Sequence, residues 1–249
     1  AYDQSMPLLD TVIVNTENEE YTSNHVSFQS INHKRVTALL SVPKGGMGPW
    51  PVVILLHGLG DRKTVDYIQA GHDFYIKQGF AVFRMDLDNH GERHAEKFSF
   101  SLTSKTKYRS REIIRQSVVD LQRSLDYLES REEIDIERAG FFGISLGGII
   151  GTVFCAVDKR IKVPVIALAG GQLNLMYGSD ALSSDTRTFL ETIDPILYVR
   201  EIHPRPLLMI NAKNDEVVPP ITSKLLFSQA KKPKEIIWYD ARHRNIPLL

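Results

Sequence analysis

Residues 140 to 148 read Gly-Phe-Phe-Gly-Ile-Ser-Leu-Gly-Gly, and Gly143 to Gly147 form a G-x-S-x-G pattern. That pattern marks a nucleophile elbow, a sharp turn from strand to helix with serine at its apex. The glycines leave room for strained backbone at the apex, so Ser145 is expected to present its hydroxyl at the top of a sheet. An alcohol is a poor nucleophile at neutral pH; it needs a base to take its proton and a carboxylate to orient that base. Two later loops offer candidates. Asp215 lies five residues past the apolar run Pro206 to Ile210, and His243 lies four past Glu235 to Tyr239. Glu216, beside Asp215, is the alternative acid. The reaction also builds negative charge on a carbonyl oxygen, which requires two backbone N–H donors. Leu146, directly after the nucleophile, is one candidate. Leu59, flanked by Gly58 and Gly60 in the loop after Val52 to Leu56, is the other.

The elements that must hold these residues can be read from periodicity. Arg138 to Phe142 and the small, apolar stretch Leu146 to Val157 give the strand and helix that the elbow requires. Val52 to Leu56 is a continuous apolar run, as expected of a central parallel strand. A helix is predicted over 65–78 with Thr64 as N-cap and Gly79 just beyond its end, then a strand over 80–85. In 109–130, Ile114, Val118, Leu121, Leu125 and Leu128 fall on one helical face. Strands over 161–168, 206–210 and 235–239 alternate with a helix over 221–230. His25 to Ile31 and Arg35 to Val42 read as an edge hairpin, and residues 1–23 as an irregular arm or frayed helix. The pattern predicts an α/β fold with a mostly parallel central sheet, helices on both faces, and a single domain over 1–249. Residues 170–205 form a small cap insertion, expected to lie over the carboxyl ends of the strands. There Met176, Tyr177 and Phe189 are the expected substrate-binding wall, with Leu182 among further apolar candidates.

Composition narrows the function classes. The 249 residues carry 30 Lys and Arg against 30 Asp and Glu, so no basic face is implied and nucleic acid is not an expected partner. The single cysteine, Cys155, rules out an internal disulfide and reads as a buried apolar residue; a cytoplasmic protein is the expectation. No run approaches the length of a membrane span, and no membrane partner is expected. His90 and His94 with Asp86, Asp88 and Glu92 fit no strong metal-ligand spacing and read as a loop network; no metal or cofactor is predicted. His57 reads as a structural residue beneath the Leu59 loop.

The pieces His57-Gly-Leu-Gly60, Asp88-Asn-His-Gly-Glu-Arg93, Gly143 to Gly148, Asn214 to Pro219 and Arg242-His-Arg244 resemble the α/β-hydrolase superfamily. They are most similar to small bacterial carboxylesterases of the dienelactone-hydrolase-like group, over roughly residues 35 to 247. The resemblance implies the α/β-hydrolase fold, with Ser145 as nucleophile, Asp215 as acid, His243 as base, and Leu59 and Leu146 as oxyanion donors. It implies a cofactor-independent hydrolase of small-molecule carboxylic esters, and a homodimer is compatible with it. Dienelactone hydrolases use cysteine where this chain has Ser145, so their substrate does not carry over. Members usually have a closing helix after the histidine, where this chain has six more residues. The alternatives are an amide, lactone or thioester hydrolase with the same residues, or an inactive binding module. The short insertion predicts short acyl chains, acetyl to butyryl or hexanoyl, without interfacial activation.

Overall fold

The computed structural model describes residues 2–97, 99–177 and 184–246, the side chain of Arg187 excepted. Among these residues nine strands form one sheet in the order β1-β2-β3-β5-β4-β6-β7-β8-β9. The strands are β1 Thr11–Glu17, β2 Tyr21–Gln29, β3 Arg35–Pro43, β4 Trp50–Leu56, β5 Ala81–Met85, β6 Ile134–Ile144, β7 Val163–Ala167, β8 Leu207–Ala212 and β9 Lys234–Tyr239. The first three pair antiparallel and join β5 antiparallel; from β5 through β4 to β9 every pairing is parallel. Among the described residues five α-helices accompany them: α1 Asp66–Lys77, α2 Lys107–Glu129, α3 Leu146–Val157, α4 Ser184–Glu191 and α5 Pro220–Gln229.

Side chains alternate across the central strands and so build two cores. Val52, Ile54 and Leu56 of β4 join Phe83 and Phe141 in the core that receives Leu121 and Leu125 of α2 and Ile150 and Phe154 of α3. Val53 and Leu55 face the other way, toward Ile68 and Ile76 of α1 and Phe142 and Ile144 of β6. Each buried aliphatic side chain contributes about 1.5–3 kcal/mol, so this two-sided burial fixes the register of the strands. Cys155 is a fully buried free thiol on α3, raised well above the usual thiol range by that burial.

Two elements differ from the sequence reading. The N-terminal arm is not irregular throughout: Thr11 to Glu17 form β1, an exposed edge strand paired with β2. Val12, Ile13 and Val14 run together and neither face is buried, so the strand carries no alternation to read. The N-cap of α1 is Val65, and Thr64 makes no cap; Gly79 does follow the helix, with φ +78°.

Candidate active site

The elbow is formed by β6 and α3. Ser145 caps the start of α3 with φ 56° and ψ −118°, a strained conformation for a residue bearing a side chain. Close packing enforces it. A Cβ on Gly147 would stand 2.5 Å from the carbonyl oxygen of His57 and 2.6 Å from that of Leu56. A Cβ on Gly143 would stand 2.5 Å from the carbonyl oxygen of Gly147. Glycine is therefore required for the helix start to sit directly against the end of β4.

Three side chains from three strand ends meet here. His243 Nε2 stands 3.1 Å from Ser145 Oγ. On the other side of the ring, Nδ1 stands 2.8 Å from Asp215 Oδ2. The remaining Asp215 oxygen accepts the N–H groups of Val217 at 2.9 Å and Val218 at 2.7 Å, which hold the carboxylate in place. With Asp215 as acceptor, Nδ1 carries the proton and Nε2 is free to accept the serine hydroxyl. Glu216 does not reach the ring; its carboxylate accepts the backbone N–H of His243 at 3.3 Å.

Leu146 is the first residue of α3, where N–H groups lack intrahelical partners and the helix dipole favours negative charge. Leu59 lies in the loop after β4 and lines the same cavity as Ser145. His57 fixes that loop from below. Its ring is fully buried, its Nδ1–H donates to the carbonyl of Gly58 at 2.8 Å, and its Nε2 accepts the N–H of Leu87 at 3.1 Å. Burial holds its pKa down at about 4, so the ring is neutral, as those two bonds require.

The cavity at Ser145 measures about 260 Å³ and has apolar walls from Ile144, Leu168, Val217 and Ile246. Met176, Tyr177 and Phe189, expected as its walls, do not line it. Apolar residues of the described part of 170–205 pack instead into the core shared with α2 and α3. Phe189 is buried edge-on against Tyr108 at 5.4 Å, with the Arg111 guanidinium 5.1 Å from its ring centre. Met176 and Tyr177 pack against the core beneath α2 and α3. Asp194 knits the segment together by accepting the N–H groups of Gln172, Leu173 and Ile196. Leu182 lies outside the described residues. The true walls come from the strand ends and from the loops carrying Asp215 and His243, whose apolar residues sequence reading assigned to no surface.

The Asp86–His94 loop is held by ion pairs to distant residues. Asp86 receives Lys63 Nζ at 2.5 Å, Asp88 receives Lys34 Nζ at 2.6 Å, and Arg93 reaches Asp120 at 2.7 Å. Among the described residues no group of three or more His, Cys, Asp or Glu is placed to hold a metal ion. Among them also, no helix is long and apolar enough to cross a membrane.

The fold is that of the α/β-hydrolases. The acetyl xylan esterase 1 of Thermoanaerobacterium sp. JW/SL YS485 superposes with a TM-score of 0.83 at 18% identity, over 98% of this chain and 85% of that one. Among curated proteins, the putative hydrolase YtaP of Bacillus subtilis (strain 168) is 28% identical over 165 residues, covering 60% of this chain and 53% of YtaP. Acetyl esterase Axe7A of Xylanibacter ruminicola is 25% identical over 222 residues, covering 79% of this chain and 49% of Axe7A. The chain thus spans about half the length of these curated relatives. Residues 9–168 match the acetyl xylan esterase (AXE1) family, a stretch that carries the Leu59 loop, the ion-held loop and the serine elbow. By that match, which takes in well over half of its residues, the chain belongs to the acetyl xylan esterase (AXE1) family.

Proposed function

We propose that the chain is a serine hydrolase of short-chain carboxylic esters, with Ser145, His243 and Asp215 as its catalytic residues. The observation that carries this reading is the unbroken hydrogen-bonded run from Asp215 through His243 to Ser145, opening on a small cavity. In the first half-reaction, His243 Nε2 takes the hydroxyl proton as Ser145 Oγ bonds to the acyl carbon. The carbonyl oxygen becomes an anion and is received by the N–H groups of Leu59 and Leu146. Asp215 stabilises the imidazolium and keeps its tautomer. The tetrahedral adduct collapses, the alcohol leaves with the proton from His243, and an acyl-serine remains. Water then repeats the sequence: His243 removes its proton, the hydroxide adds to the acyl carbon, and the acid departs as Ser145 regains its proton.

The cavity favours short acyl groups. Each buried methylene contributes about 0.8 kcal/mol, and that gain ends where the walls end. The names of the relatives, an acetyl esterase and an acetyl xylan esterase, agree with acetyl as the acyl group. The test is kcat/KM on p-nitrophenyl esters of rising acyl length, with Ser145→Ala as control and a fluorophosphonate probe for the serine. Expected are a maximum between acetyl and hexanoyl, no rate jump above the micellar concentration, and loss of labelling and of at least about 10⁴ in kcat in Ser145→Ala. A Ser145→Ala variant that turned over esters at the parental rate would sink the reading.

A further inference from the structure

The N–H of Leu59 and the carbonyl of Gly58 belong to one peptide unit, and a trans peptide points the two in opposite directions. Whatever holds Gly58 therefore aims the Leu59 donor. The Gly58 carbonyl is held twice, by His57 Nδ1 at 2.8 Å and by the N–H of Asp61 at 3.4 Å. The other side of Gly58 is held as well. Its N–H donates to the hydroxyl of Tyr67 at 2.9 Å, and that hydroxyl donates in turn to Asp61 Oδ2 at 2.7 Å. Gly58, Asp61 and Tyr67 thus close a small ring of bonds beside Ser145. Glycine at 58 has the freest backbone of any residue, so without these bonds the loop would sample many orientations. The approach is also tight: a Cβ on Gly58 would stand 3.3 Å from the Cβ of Ser145 and 3.5 Å from the Tyr67 hydroxyl.

From this geometry we propose that Tyr67, acting through Gly58 and Asp61, is the positioning residue that aims the Leu59 N–H at the developing oxyanion. It does not donate to the substrate, because its own proton is engaged by Asp61. It also occupies the Gly58 N–H, which would otherwise be a buried unpaired donor next to the nucleophile. Burial raises the phenol's pKa, so the hydroxyl stays protonated and both bonds persist across the working pH range. Tyr67 stands in the first turn of α1, so the ring is anchored by a rigid element packed on the sheet. This proposal rests on the ester-hydrolase reading above.

The experiment compares the parent with Tyr67→Phe, Asp61→Ala and Asp61→Asn on p-nitrophenyl acetate. Each is also titrated with an alkyl trifluoromethyl ketone, whose serine adduct carries the oxyanion. Removing an oxyanion donor outright costs about 10²–10³ in kcat, so a loosened donor is expected to cost about 10–100-fold. Tyr67→Phe should lose that factor in kcat with KM within about twofold, and ketone affinity should fall by the same factor. Asp61→Ala, which keeps the whole tyrosine, should do the same, and Asp61→Asn, which keeps an acceptor, should recover most of that loss. If Tyr67→Phe fails to fold, the two Asp61 variants decide. Parental kcat and ketone affinity in the variants, or a raised KM at unchanged kcat, would overturn the proposal. A parent that hydrolyses no ester at all, and that no fluorophosphonate labels, would instead overturn the functional reading beneath it.

Discussion

Asp215 and Glu216 are adjacent carboxylates that meet His243 at different atoms, one at the ring and one at the main chain. The difference sets a sharp expectation for mutation. Asp215→Asn keeps the shape but reverses the tautomer preference of the imidazole, and should lower kcat by about 10⁴. Glu216→Gln should change it by less than about threefold. The reverse ranking in steady-state rates would move the acid by one position. At this scale the sequence was legible where chemistry restricts the residue type. A serine between glycines, a histidine after a late strand and an acid between them are few enough to be picked out, although Ser145 and His243 stand 98 residues apart. It was not legible where one residue type serves two ends. Phe189 has the same side chain whether it walls a cavity or fills a core, and only the packing of Tyr108 and Arg111 around it decides. Tyr67 carried no signal at all: a tyrosine early in a helix is ordinary until the loop below it is seen.

The helix that starts at Ser145 ends under the control of Arg205. Its guanidinium donates to the carbonyls of Cys155, Asp158 and Ile161, groups at and just beyond the last turn of α3 that have no helical partner. A cation at this end also complements the helix dipole. Arg205→Ala should therefore lower stability by about 1–3 kcal/mol in urea melts, with Arg205→Lys recovering part of it as a point charge without the fork. An unchanged midpoint would show that water replaces the arginine at no cost. Elements with a buried face were legible for the same reason that they are stable. The stripe on α2 and the apolar β4 run exist because burial demands them. β1 has no buried face, and only its β-branched residues, Thr11, Val12, Ile13, Val14 and Thr16, signalled a strand. The substrate wall was misassigned because sequence gives the length of an insertion but not whether its apolar side chains meet the cavity or the core.

Across the molecule, the buried imidazole of His57 makes stability depend on acid. Its folded pKa is about 4, against about 6.5 for a free histidine. Above pH 6.5 neither state holds the proton and the group is silent. Between 6.5 and 4 the unfolded chain binds a proton that the folded chain refuses, so stability falls as pH falls, by on the order of 3 kcal/mol at the lower limit. His90, also depressed by burial, adds in the same direction. Denaturant melts from pH 7 to 4.5 should show this slope; a flat profile would contradict a neutral His57. The alternation of strands and helices fixed the overall architecture in advance, helices on both faces included, while Lys63, Lys34 and Asp120, the partners of the loop network, lie too far along the chain to be paired with it from sequence. The lone thiol, finally, gives the molecule a built-in clock. Cys155 is fully enclosed in the last turn of α3, so an alkylating reagent reaches it only when that end of the helix opens. The rate of alkylation in native buffer then counts openings of the element that begins at Ser145. At a fixed pH it should be slow in the parent chain and speed up in Arg205→Ala.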